Sequence, residues 1–146
     1  LNNREKQKKI VKMFDDIASS YDLANRILSF GIDTKWRKKG CDRAYEIINK
    51  RKVSQIVDVA TGTGDMLLHW RDGALRADIR VDSFVGVDPS SKMLKIAKDK
   101  VKFATFIKGE AQELPLSRGN TDIVSISYGI RNVVDRKEAL EEFNRV

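Results

Sequence analysis

Val57-Asp58-Val59-Ala60-Thr61-Gly62-Thr63-Gly64-Asp65 (VDVATGTGD) is an apolar run carrying one carboxylate that breaks into a glycine-rich turn. The run reads as a buried strand. Gly62 and Gly64 let the chain turn tightly and bring bare amide groups against a ligand. A second apolar run, Phe84-Val85-Gly86-Val87, closes on Asp88. Glycines after one strand and an acid after the next form the grammar of nucleoside-binding α/β folds. A dinucleotide fingerprint would need a third glycine where Leu67 stands. A pyrophosphate at the helix N-terminus would meet Asp65, which has the wrong charge for it. The loop therefore suits a nucleoside without a phosphate chain, or one with a cationic centre.

Outward from the loop, strands alternate with helices. We expect a first strand over Ile56–Ala60, a helix opening at Asp65–Arg71, a polar connection over Asp72–Asp82 and a second strand over Phe84–Asp88. Pro89 suits the first turn of a helix running Ser90–Lys102. A third strand at Phe103–Ile107, a loop at Gly109–Asn120, a fourth strand at Ile123–Tyr128 and a helix from Arg136 follow. This alternation predicts a doubly wound, mostly parallel sheet of the α/β class. Ahead of it, Ile10, Phe14, Ile17 and Tyr21 recur at helical spacing, with lysines on other faces. Tyr21-Asp22 and Asn25 then lead to Leu28-Ser29-Phe30-Gly31, with a chain reversal expected at Gly31. Asp33 or Thr34 would cap a second helix that offers Trp36, Ala44, Tyr45 and Ile48 for burial. The organisation expected is an N-terminal helical lid over 1–52 and a nucleoside-binding unit over 53–146, within one domain.

The 146 residues are 41% hydrophobic, enough for one cored domain and too few for two. One cysteine, Cys41, leaves no internal disulfide and fits a reducing, cytoplasmic setting. One histidine, His69, gives little scope for a metal site or a serine triad, and we assign it no role. The net charge of +7 gathers in basic stretches poor in aromatics apart from Trp36 and Phe103. Single-stranded nucleic acid would want aromatics interleaved with the cations. Solvated helix faces and an anionic membrane surface are the readings that stay open, with no nucleic-acid partner expected.

Candidate site residues follow from the strand ends. Asp88 could take two hydrogen bonds from ribose hydroxyls, or cap the helix that follows it. Glu110 and Ala111 could meet an adenine edge, although Glu110 alone reads as a solvated loop acid. Ser127-Tyr128-Gly129-Ile130-Arg131-Asn132 follows the fourth strand, at the edge where ligands bind in open sheets. Arg131 is either an exposed loop arginine or a cation that needs a partner.

Six stretches together resemble one family, the class I S-adenosylmethionine methyltransferases of ubiquinone and menaquinone biosynthesis. They are MFDDIASSYDLAN at 13–25, LSFGIDTKWRK at 28–38, VDVATGTGD at 57–65, GVDPSSKML at 86–94, GEAQELP at 109–115 and SYGIRNVVD at 127–135. The resemblance implies a Rossmann-like methyltransferase fold that binds S-adenosylmethionine and methylates a ring carbon of a prenylated quinol. Thr63 would line the cofactor site with Gly62 and Gly64, and Ser127 would form its far wall. Asp58 and Asp65 would suit the sulfonium charge. Tyr21 and Asp22 would close over the cofactor as a lid, and Arg131 would stabilise a phenolate of the acceptor. Ala24, Asp33 and Thr61 stand where the family usually has methionine, histidine and glycine, which marks a divergent member. The family continues beyond the segment matched by Val146, so C-terminal strands are expected to be missing, and an open sheet edge would favour a homodimer. A membrane-resident substrate tail implies peripheral association with the inner face of the membrane. A methyltransferase acting on RNA or a small soluble acceptor, and a non-catalytic cofactor-binding module, remain the alternatives.

Overall fold

The computed structural model describes residues 2–22, 24 and 32–146. Asn25, the Leu28-Ser29-Phe30 stretch and the reversal expected at Gly31 lie outside them. The elements are α1 (Asn3–Ile17), α2 (Ile32–Ile48), β1 (Lys52–Val59), α3 (Asp65–Arg76), β2 (Arg80–Asp88), α4 (Ser91–Lys100), β3 (Thr105–Lys108) and β4 (Ile123–Ile126). A 3-10 turn (Gly129–Asn132) and α5 (Arg136–Arg145) follow. The strands form one parallel sheet in the order β3-β2-β1-β4. β1 is central, and the chain crosses from one side of it to the other between β3 and β4. Ligands gather at such a crossover, beyond the carboxyl ends of the strands.

Alternation along the strands divides the core. Ile56 packs with Cys41, Tyr45, Leu67, Trp70, Leu94 and Ala97 from α2, α3 and α4 on one face. Val57, Val59, Val85 and Val87 pack with Ala139 of α5 and Val146 on the other. Each fully buried aliphatic side chain contributes roughly 1.5–3 kcal/mol. α2 thus belongs to the core of the sheet unit, whereas no residue of α1 is buried. Capping fits the sequence: Asn2 and Glu5 form a capping box on α1, Ser90 Oγ accepts from the Met93 amide at 3.1 Å, and Asp135 accepts from Glu138.

Several boundaries differ from expectation. β1 starts at Lys52, ahead of the apolar run, because Lys52 and Val53 already pair in register with Arg80 and Val81 of β2, with the Lys52–Asp82 ion pair at 2.9 Å beside them. The segment expected as a polar connection is mostly ordered: α3 continues to Arg76 and β2 begins at Arg80. Gly73 sits in α3 where a Cβ would lie 3.1 Å from the Tyr45 ring, so it admits α2. Pro89 precedes the Ser90 cap and does not enter α4. β3 and β4 are shorter than expected and end at Lys108 and Ile126. Asp33 and Thr34 lie inside the first turn of α2, and Trp36 is exposed at 67% where burial was expected. Cys41 is buried, and burial pushes its thiol up to about 12, so it is unreactive at neutral pH.

Candidate functional site

A cavity of about 400 Å³ lies between α1 and the carboxyl edge of the sheet. Val59, Ala60 and Gly62 come from the end of β1 and its turn, while Asp88, Met93 and Ala111 come from the β2–β3 side. Ser127, Tyr128 and Arg131 come from beyond β4, and Ile10, Val11, Phe14 and Tyr21 from α1 and its extension. The apolar stripe of α1 therefore faces a cavity, which explains why none of it is buried. The volume suits a small-molecule site.

Asp88 is 7% exposed, and its two oxygens position the loops around it. Oδ2 accepts from the Gly62 amide at 2.8 Å and Oδ1 from the Ser90 amide at 2.8 Å. It is not the helix cap; Ser90 is. Burial raises its carboxyl above the ordinary range, and the Ser90 and Gly62 amides pull it part of the way back. Each oxygen keeps a lone pair for a ligand.

The glycine loop divides its labour. Gly62 has φ +56 and lines the cavity. Gly64, at φ +86, does not: a Cβ there would meet Val101 at 3.1 Å and Phe106 at 3.3 Å, so it serves packing. Thr63, expected to line the cofactor site, is 3% exposed, and its hydroxyl donates to Asp22 at 2.5 Å. Asp22 and Asp65 both accept from Lys100 Nζ, at 2.8 and 2.7 Å. Tyr21 lines the cavity and Asp22 does not. Asp65 is thus matched by a cation of the protein, which removes it as a counter-charge for a sulfonium.

Asp58 is 1% exposed and pairs in register with Ser125 of β4. Ser125 Oγ donates to Asp58 Oδ1 at 2.7 Å and accepts from Trp70 Nε1 at 2.9 Å. Burial pushes the Asp58 carboxyl up to about 6, against the lowering effects of Ser125, Thr61 and Arg37. The Thr61 hydroxyl acts there at a distance, since its Oγ1 makes no well-formed hydrogen bond. Asp58 lies beneath the cavity and does not line it. Its surroundings suit a structural acid better than a cofactor contact.

Beyond β4 the backbone is strained. Tyr128 has φ 63, and a Cβ on Gly129 would lie 2.5 Å from that of Ala60. The ends of β1 and β4 therefore touch, and the turn projects Ser127, Tyr128 and Arg131 into the cavity wall. Arg136 donates to the carbonyls of Ile130 and Arg131, both at 3.2 Å, and holds that turn. Arg37 from α2 lies over the Tyr128 ring, 5.6 Å from its centroid. Arg131 itself is exposed, so it bears no burial cost. Glu110, expected at an adenine edge, faces a neighbouring groove instead. The tight turn closed by the Glu113 amide on the Glu110 carbonyl at 3.2 Å sends Ala111 inward and Glu110 out.

The model of the ubiE/COQ5 methyltransferase family matches residues 2–146. The chain belongs to that family. A ubiquinone/menaquinone biosynthesis C-methyltransferase of Campylobacter jejuni is 52% identical over 142 residues, covering 97% of this chain and 60% of the relative. A demethylmenaquinone methyltransferase of Thermotoga maritima is 42% identical over 140 residues, covering 96% and 57%. The chain thus spans about 60% of the length of the first of these curated relatives. Among solved structures, a putative S-adenosyl-L-methionine-dependent methyltransferase of Methanococcus maripaludis shares the fold, with a TM-score of 0.67 at 14% identity over 92% of this chain and 56% of that one. The YcgJ protein of Bacillus subtilis gives 0.65 at 21% identity, over 77% and 46%. The fold is therefore that of the class I methyltransferases.

The cavity fits the cofactor such a fold implies. Asp88 offers acceptors suited to a diol, and the apolar side chains of Met93, Pro89 and Ala111 line the same cavity. The charged groups among the described lining residues are Asp88 and Arg131. That set suits a nucleoside without phosphates. Sequence reasoning missed Gln112, Pro89 and Met93 on the wall, and Lys100 behind the glycine loop. Met93 stands one helical turn from the Ser90 cap, a spacing that could have placed it.

Proposed function

We propose that this chain binds S-adenosylmethionine in the cavity under α1, and that the full-length protein methylates a ring carbon of a prenylated quinol. The observation that carries the reading is one cavity reached both by Asp88, poised for a ribose, and by Arg131, poised for an anionic acceptor. The names of the relatives, which specify C-methylation in ubiquinone and menaquinone biosynthesis, support the choice of acceptor. When bound, the cofactor supplies an electrophilic methyl group on a sulfonium.

The residues of the chain do the rest. Asp88 orients the nucleoside while fixing Gly62. Arg131 lowers the cost of losing a hydroxyl proton from the acceptor, and the resulting phenolate makes the adjacent ring carbon nucleophilic. Tyr21, Phe14 and Ile10 cover the cavity and exclude water while the reactants align. Isothermal calorimetry with S-adenosylmethionine on this chain tests the cofactor half of the reading, and absence of binding sinks it. In the full-length protein, Arg131→Ala should lower methylation of a demethylated quinol at least about tenfold while cofactor affinity stays within about twofold. Unchanged turnover would remove Arg131 from the mechanism.

The long-chain acceptor draws the protein to a membrane surface in this reading. No helix among the described residues is long and apolar enough to cross a bilayer. Met13 and Ile17 of α1, and Ile32 and Trp36 of α2, are exposed, alongside the exposed Lys8, Lys9 and Lys12. Apolar and basic groups together suit peripheral binding to an anionic leaflet, as on the inner face of a cell membrane. Co-sedimentation with vesicles containing phosphatidylglycerol is expected at low salt, with release as salt rises. A chain that stays in the supernatant at low salt would refute it.

A further inference from the structure

Two carboxylates pin the first helix and its extension along α4, one at each end. Asp15 accepts from Ser90 Oγ at 2.5 Å and from the Lys92 amide at 3.4 Å, beside the N-terminus of α4. Asp22 reaches the other end, where Lys100 closes the helix. Lys100 Nζ donates to Asp22 Oδ2 at 2.8 Å, Thr63 Oγ1 at 2.8 Å and Asp65 Oδ1 at 2.7 Å. All three protons of the ammonium are thereby used. Beside Asp22, the ring of Tyr21 would lie 4.0 Å from a Cβ on Gly62, so it covers the bare side of the glycine loop. None of Asp22, Thr63, Asp65 and Lys100 lines the cavity.

We propose that Lys100 is a positioning residue: through Asp22 it holds Tyr21 over Gly62 and sets how readily the α1 lid opens. The inference rests on the cofactor reading only for what passes under the lid. α1 has no buried residue, so polar pins carry an unusual share of its attachment. The Lys100 pairs are about a quarter to a third exposed, which leaves them open to screening by salt. Without the ammonium, Asp22 and Asp65 would face each other as like charges and drive the lid away from the loop.

Amide hydrogen exchange on the ligand-free 146-residue chain tests this directly. The reporters are Ser20 and Ala24, whose amides bond to the Ile17 and Ser20 carbonyls. Lys100→Met should speed their exchange at least about tenfold while the amides of β1 hold their rates. Asp22→Asn added to Lys100→Met should relieve the like-charge repulsion and slow exchange again. Arg76→Ala, which breaks the remote pair with Asp42, should leave Ser20 and Ala24 unchanged. Dissociation of S-adenosylhomocysteine should accelerate in Lys100→Met together with the exchange. Unchanged exchange at Ser20 and Ala24, or equal acceleration in β1, would overturn the proposal. Salt titration of the unaltered chain needs no variant: rising potassium chloride should speed Ser20 and Ala24 ahead of β1, and a flat response would overturn it. A chain that binds no ligand would overturn the cofactor reading alone, and the exchange measurement would still decide the role of Lys100.

Discussion

Asp88→Ala is expected to weaken S-adenosylmethionine binding at least about 100-fold in calorimetry. Two hydrogen bonds to a charged acceptor contribute roughly 1.5–3 kcal/mol each, and about 2.7 kcal/mol is already a factor of 100. The substitution also frees the Gly62 and Ser90 amides, which hold the glycine turn and the start of α4 at their present spacing. Asp88→Asn keeps one acceptor oxygen, so its loss should be smaller, about tenfold. The wild-type chain should show a related pH dependence. Burial raises the Asp88 carboxyl, so binding should weaken on the acid side sooner than an ordinary aspartate would permit. An affinity unchanged in a folded Asp88→Ala chain would remove the residue from the site.

The second large effect concerns Asp58, where stability and binding should separate. Its folded value of about 6 lies above the ordinary value near 4, so the folded state holds the proton more tightly. The stability from that proton is complete below about pH 4, is lost as pH rises through about 6, and leaves an ionised buried acid above. Asp58→Asn removes that charge. Its amide oxygen can still accept from Ser125, and its nitrogen can donate to the Thr61 hydroxyl, which makes no well-formed hydrogen bond. The variant should therefore be more stable by about 3 kcal/mol at pH 8 and little changed at pH 4. Urea unfolding at the two pH values measures this. S-adenosylmethionine affinity should stay within about threefold, because Asp58 does not line the cavity. A large loss of affinity would restore Asp58 to the cofactor site.

What could be read in the sequence follows from where parallel strands end. Asp88 ends β2, and Gly62, Ala111 and Ser127 stand just beyond β1, β3 and β4; a parallel sheet brings such positions to one edge whatever its details. The cavity wall was therefore legible at those four residues. Orientation within a turn was not. Glu110 and Ala111 are neighbours, and only the closure of the turn on Glu113 decides which faces inward. Gly62 and Gly64 look alike in sequence, yet one meets the cavity and the other meets Val101 and Phe106. Lys100 was invisible for a different reason. A lysine at a helix end reads as solvated, and its pairing with Asp22, 78 residues away, leaves no periodic trace. The stripe of α1 announced an apolar face without saying whether a core or a cavity lay beneath it.

The strand order also has a consequence in time. β1, β2 and β3 are laid down consecutively and pair as neighbours, so three of the four described strands are encoded before β4 begins at Ile123. β4 must then return to the far side of β1, and its Ser125–Asp58 bond spans 67 residues. Closing so long a loop is slow compared with pairing successive units. During synthesis from the N-terminus, the chemistry around Gly62, Asp88 and Ala111 is present on the chain before the wall of Ser127 and Arg131 has been made. The side of the cavity built from Gly62, Asp88 and Ala111 is the older half in the life of each molecule, and the wall of Ser127 and Arg131 is fitted to it.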